Sequence, residues 1–235
     1  MSDLRIEALG ECALLLSFGE RIDPTVNALV LAAAAALRAA NLPGVRDIAP
    51  AYASICVQYD FRAWLDATGM QSAHARIASR INAIVDNVAI PQVEPAAAAI
   101  DIPVCYGGEC GPDLDALAVH AKLPAADVIA RHCAAEYRVA MLGFAPGFAY
   151  LLGLDSALHA RRHAVPRVRV PAGSVAIGGA QTGIYPRELP GGWQIIGRTP
   201  LVLFDALRDP PALLAPGQSV RFRAISADKF AAFAR

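Results

Sequence analysis

Pro166 to Pro200 reads PRVRVPAGSVAIGGAQTGIYPRELPGGWQIIGRTP, and this stretch decides what kind of domain the chain ends in. Short β-branched runs, VRV, SVAI and QII, are separated by Pro-Ala-Gly, Gly-Gly and Pro-Gly-Gly, the punctuation of a compact all-β unit. Working outward, ten of the 18 glycines and six of the 17 prolines lie between Met141 and Pro200, so the β region extends back to MLGFAPGFAYLLGL. Before it, a strand is expected at Ile100 to Cys105 and helices at about Asp113 to Ala121 and Pro124 to Glu136; after it comes a short helix from Ser226.

The first 90 residues have a different texture. LRIEAL and CALLLSF read as two strands split by Gly10-Glu11, and Asp23-Pro24 opens a helix with an N-cap and a proline at the first helical position. That helix runs to Asn41, where Leu42-Pro43-Gly44 stops it; VRDIAP and ASICVQYD then form a further strand pair. A second helix is expected over about Phe61 to Val85, with Ile77, Ile81, Ile84, Val85 and Val88 on one apolar face. AIPQVEPAAAA, Ala89 to Ala99, has two prolines and no apolar period, which makes it the linker. The organisation read from the residues is an α+β domain over 1–90, a linker over 91–99 and a mainly β domain over 100–235.

Composition narrows the function. The 235 residues carry 21 Lys plus Arg against 21 Asp plus Glu, a zero balance that argues against a polyanion binder. With 55% hydrophobic and 18% charged residues the chain is too apolar to be disordered, and the apolar excess favours a standing partner. The longest apolar run, Ala28 to Leu37, is half the length of a membrane span of about 20 residues. The start, MSDLRIEALGE, lacks a basic region and cleavage site, so a cytoplasmic location is expected. Five cysteines form no CxxC pair and read as free thiols; no metal site is expected.

Several features invite chemistry. LDALAVHAKLPAADVIARH, Leu114 to His132, has the cadence of a helix-turn-helix, but its second helix offers only Arg131 and His132 amid acidic Asp113, Asp115 and Asp127, so a plain helical hairpin is expected. The two glycine-rich loops lack the Walker order; they either approach a ligand or turn the chain at barrel corners. Phe144, Phe148 and Tyr150 around Pro146-Gly147 either line a pocket or form a core cluster. Arg161, Arg162, Arg167 and Arg169 are a local arginine excess; Arg167 and Arg169 share a strand face, where they either grip a carboxylate or phosphate or are solvated surface arginines.

Taken together, GVRDIAPAYAS, IPVCYGG with GPDL, GFAPGFAYL, PRVRVPAGSVAIGGAQTGIYP, and PGGWQIIGRTP followed by LFD and PGQSVRF resemble, in order and over almost the whole chain, one family. It contains the B subunit of 5-oxoprolinase, the KipI-type sporulation kinase inhibitor and the allophanate hydrolase subunit 1, or carboxyltransferase-type, domain of urea carboxylase. The resemblance implies an N-terminal ferredoxin-like α+β domain followed by a cyclophilin-like β-barrel. It implies two partners, a homologous cyclophilin-like C subunit and a LamB/YcsF-type A subunit, and ATP with Mg as the shared cofactor for opening 5-oxoproline to glutamate. The other branches imply a protein that inhibits a sensor histidine kinase, or a carboxyltransferase-like component of urea or allophanate metabolism.

Carried over to this chain, the resemblance implies a pocket built from His132 and Tyr137, from Phe144, Pro146, Gly147, Phe148 and Tyr150, and from Arg167, Pro171, Gly173, Ser174, Gln181 and Tyr185. Gly192, Trp193, Gln194, Arg198 and Thr199 complete it. Arg167 and Arg198 are the expected clamp on charge developing at the lactam carbonyl, and His132 the expected proton carrier, all three catalytic. Gln181 and Tyr185 are expected to hold the lactam amide, and Trp193 to wall the pocket.

Overall fold

The computed structural model describes residues 4–89 and 99–233, and the chain divides into two compact units, Met1–Pro95 and Ala96–Arg235. The expected linker, 91–99, lies outside the described residues except for Ala99.

The first unit is one antiparallel sheet backed by two helices. Its elements are β1 (Arg5–Ala8), β2 (Ala13–Ser17), α1 (Pro24–Ala39), β3 (Val45–Pro50), β4 (Ser54–Tyr59) and α2 (Ala73–Val85), with sheet order β1-β2-β4-β3. The Asp23 carboxylate accepts from the N–H groups of Thr25 and Val26 at 2.8 and 3.0 Å, capping α1 where Pro24 starts it. Alternation along β2 and β4 buries Leu14, Leu16, Ile55, Val57 and Tyr59 against Val30, Ala33 and Leu37 of α1 and Ile77 and Ile81 of α2. The helix expected over Phe61 to Val85 is interrupted. Phe61–Trp64 is a single 3-10 turn, and α2 begins only at Ala73. Between them the Asp66 carboxylate accepts from Thr68 Oγ1 and from the N–H groups of Thr68, Met70 and Gln71, a local network that competes with helix continuation until Ser72 caps the new start.

The second unit is built on a barrel. It runs β5 (Ile100–Tyr106), α3 (Leu114–Ala121), α4 (Ala125–Ala134), β6 (Tyr137–Leu142), β7 (Ala149–Leu152), β8 (Arg167–Val170), β9 (Ser174–Gly178), β10 (Gln181–Ile184), β11 (Leu189–Gly191), β12 (Gln194–Arg198), β13 (Ser219–Ala224) and α5 (Ala227–Phe233). Seven strands close in the order β10-β7-β6-β13-β5-β12-β9, and β8 pairs with β11 as a separate two-stranded ribbon. The α3–α4 pair packs Leu114, Leu117 and Val128 onto the barrel core as a plain hairpin. No helix among the described residues is long and apolar enough to cross a membrane.

Every residue of β9 is buried, which a barrel wall facing water does not require. Val175 and Ile177 point into the barrel core, whereas Ala176 belongs to a second apolar cluster with Phe148, Val170, Tyr185, Trp193 and Ile195. The same alternation splits Ile195 from Ile196 and Phe148 from Ala149. The second cluster is the outer layer, and it explains glycines that the sequence leaves open. A Cβ on Gly178 would lie 2.6 Å from the Trp193 ring, so this glycine is neither a phosphate cradle nor a corner but the seat of an indole.

Gly178→Ala should therefore destabilise the barrel unit by about 2 kcal/mol in urea unfolding. The substituted methyl should also move Trp193 and shift its fluorescence; an unchanged emission spectrum would contradict the packing.

Candidate active-site cleft

The outer cluster opens to solvent as a cleft of about 210 Å³. Its floor is a hub of rings. Phe148 lies 4.8 Å from Tyr150, 5.2 Å from Tyr185 and 5.8 Å from Trp193, centroid to centroid, the last two edge-to-face. Tyr185 and Trp193 are buried, and Pro166, Pro190, Gly191 and Gly192 supply the remaining walls.

Phe144 stands at the mouth, 60% exposed and 5.4 Å from Phe148. Its backbone is in the left-handed region, φ 67°, where an aromatic residue is strained, and the Ala145 N–H to Gly143 carbonyl bond of 2.7 Å closes the turn that holds it there. An exposed ring held at a conformational cost beside a cleft is the pattern of a binding residue.

The cleft contains one guanidinium. Arg162 places Cζ 5.5 Å from the Trp193 ring centroid, and among the described residues it has no ion-paired carboxylate. Burial raises the phenol pKa values of Tyr150 and Tyr185, with the Arg162 charge opposing it, so both remain neutral hydroxyls at physiological pH. The chemistry on offer is flat apolar walls, two neutral phenols and one cation, which suits a small planar acid.

Beside the cleft lies a carboxylate whose role the sequence conceals. Asp113 is 6% exposed and accepts from Arg167 Nη2 at 2.6 Å, the Ile195 N–H at 2.7 Å and His163 Nε2 at 3.3 Å. Burial disfavours its charge, but these donors outweigh burial and hold the carboxyl below its ordinary pKa. Read from sequence, Asp113 is only an acidic start to a helix; its partners lie 50 to 82 residues away.

The expected site residues do not form one group. Phe144, Phe148, Tyr150, Tyr185, Gly192 and Trp193 line the aromatic cleft. Pro146 and buried Gly147 form the turn behind Phe144 without lining it. Gly173, Arg198 and Thr199 belong instead to a second cleft of about 310 Å³ with Pro186, Phe230 and Phe233. There the Arg198 Nε–H donates to the Ala172 carbonyl at 2.7 Å, and the guanidinium lies 5.9 Å from the Phe230 centroid. Ser174 is buried in β9, Gln181 lies half-buried on β10, and Gln194 donates from Nε2 to the Arg161 carbonyl at 2.9 Å.

The expected clamp of Arg167 and Arg198 is thus not assembled: Arg167 is ion-paired to Asp113, and Arg198 faces the other cleft. Nor can His132 carry protons for a substrate. It is wholly buried, with Tyr137 and Phe222 stacked on it, and burial lowers its pKa to about 3. Thr182 Oγ1 donates to the Ala176 carbonyl at 3.0 Å, so His132 Nε2 is the donor to Thr182, and Nδ1 accepts from the Tyr106 hydroxyl at 2.8 Å. Arg162 is visible in sequence only as one arginine of a cluster; nothing local distinguishes it from Arg161.

These two groups set the acid response. An unfolded His132 gains a proton below about pH 6.5 while the folded one stays neutral, so stability should fall as pH drops from about 6.5. Asp113, with its folded pKa depressed, contributes above about pH 4 and loses that contribution as pH falls through its folded value. Asp113→Asn should cost about 3 kcal/mol at pH 7 and remove the second loss. Urea titrations at pH 7, 5 and 3.5, with NMR of the His132 ring remaining neutral at pH 5, check both signs.

A family model described as carboxyltransferase domain, subdomain C and D, matches residues 4–214. A relative from Bacillus subtilis (strain 168), named as the B subunit of 5-oxoprolinase, is 40% identical over 97% of this chain and 96% of its own. Another of that name, from Escherichia coli O157:H7, is 56% identical over 55% of this chain and 60% of its own. The crystal structure of TTHA0988 superposes with a TM-score of 0.77 at 36% identity, covering 92% of this chain and 40% of that longer one.

Proposed function

The chain belongs to the family of carboxyltransferase domains, subdomains C and D, and from that membership we propose that it is the B subunit of an ATP-dependent 5-oxoprolinase, a hydrolase complex that opens 5-oxoproline to L-glutamate. The observation that carries this reading is the aromatic cleft with its single cation, whose size and chemistry suit a five-membered lactam bearing one carboxylate. In the same reading the first unit is a ferredoxin-like plait: the order β1-β2-β4-β3 is that of a βαββαβ unit whose last strand is taken from the front of the chain. The second is a cyclophilin-like barrel.

A lactam carbonyl is a poor electrophile, and ATP supplies the activation by phosphorylating its oxygen. This chain's residues bind and orient the ring: Phe148, Tyr185 and Trp193 form the apolar bed, the neutral phenols of Tyr150 and Tyr185 add polarity without charge, and exposed Phe144 closes against water. Among the described residues no three His, Cys, Asp or Glu side chains are grouped to hold a metal ion. Nucleotide-bound Mg is held mostly by phosphate oxygens and water with one or two carboxylates, so it needs no such group, and in this reading the nucleotide and its metal are shared with the partners, a cyclophilin-like C subunit and a LamB/YcsF-type A subunit.

Co-expression with those two partners should give ATP hydrolysis that depends on 5-oxoproline, and a well-folded complex without it would overturn the reading. Trp193→Ala should lower kcat/KM by about 10- to 100-fold, through loss of a ring wall rather than of a reacting group.

A further inference from the structure

The segment from Arg161 to Arg167 crosses the edge of the aromatic cleft and is fastened at both ends and in the middle. Gln194 Nε2 donates to the Arg161 carbonyl at 2.9 Å, and the His163 N–H donates to the Gly192 carbonyl at 2.6 Å. The His163 ring and the Arg167 guanidinium both reach the Asp113 carboxylate, and Arg167 pairs across the ribbon with Gly191. All these fastenings converge on Gly191–Ile195, the stretch that carries Trp193, because Asp113 also accepts from the Ile195 N–H. Arg162 is the charged residue of this segment that lines the cleft: it lies between the fastened points, makes no side-chain hydrogen bond among the described residues, and holds its guanidinium over the indole.

We infer that Arg162 receives the carboxylate of the substrate and sets the specificity for an acid, and that Asp113 and Gln194 are positioning residues that hold its loop over Trp193. The assignment rests on the reading of this cleft as the lactam site. Arg167 is neutralised by Asp113 and Arg161 does not line the cleft, whereas the Arg162 charge is open to it. A guanidinium over an indole, with no ion-paired carboxylate among the described residues, keeps N–H groups for a bidentate carboxylate. Asp113 contributes indirectly: it is buried, it bonds residues one and five positions beyond Arg162, and it touches no atom lining the cleft mouth except through them.

The test is equilibrium binding, without nucleotide, of 5-oxoproline and of 2-pyrrolidinone, the same lactam without its carboxylate, to the full chain in its complex. The wild type should prefer the acid by about 10- to 100-fold, the range of a charge-assisted hydrogen-bonded pair. Arg162→Gln should abolish that preference while leaving 2-pyrrolidinone affinity unchanged, and Arg162→Lys should restore part of it. Asp113→Asn should lower the preference by about 3- to 10-fold at unchanged 2-pyrrolidinone affinity, a ratio that simple loss of stability does not move; Gln194→Ala gives the same readout if Asp113→Asn does not fold. A wild-type preference that survives Arg162→Gln overturns the anchor. One that survives both Asp113→Asn and Gln194→Ala overturns the positioning role. A wild type that binds neither lactam overturns the reading of the cleft itself, and the inference with it.

Discussion

Strand β9 has no face toward water, and much of the second unit follows from that constraint. Val175 and Ile177 fill the barrel, so Ala176 must be covered from outside, and the cover is a layer of rings rather than a helix. Rings can lie this close to the wall only where the wall is narrow, at Ala176 and at Gly178, whose missing side chain makes room for Trp193. An aromatic layer held on a rigid barrel face and edged by a short ribbon leaves an open seam, and that seam is the cleft. The cleft is therefore a by-product of how the barrel wall is sealed.

A second constraint is electrostatic. Asp113 carries its charge into a buried position at the start of α3, where desolvation would neutralise an isolated carboxyl. Three donors, from β12, from β8 and from the loop before it, keep it ionised, and in doing so they join elements distant in sequence. The cost of leaving such a charge unpaired makes the geometry of these elements mutually dependent. The position of Arg162 over Trp193 is set by this dependence.

Local chemistry was legible where a local interaction decides the outcome. Asp23-Pro24 starts α1, the VRDIAP run is β3 from its first residue to its last, and the glycine- and proline-rich region is a set of short strands. The long second helix failed because the apolar face from Ile77 onward was extended backward over Asp66, whose side chain bonds its own following backbone. Site residues divided as well. The aromatics of Phe144 to Tyr150 and Gly192-Trp193 line one cleft although they are distant in the chain, because only β10 and β9 separate β7 from β12 in the barrel. His132, Arg167 and Arg198 are implied by the resemblance, but burial keeps His132 neutral, Asp113 claims Arg167, and Arg198 faces the other cleft.

By itself the sequence determined most element boundaries, the aromatic character of the cleft and, through its ordered motifs, the family. These depend on periodicity, capping and turn residues, all of which act over a few positions. Tertiary structure alone decided which arginine lines the cleft, which histidine is neutral, and which glycines seat a ring. Each of those outcomes is set by burial and by partners across the barrel: a charge is available only if no buried opposite charge claims it, and an imidazole titrates near neutral pH only if water can reach it.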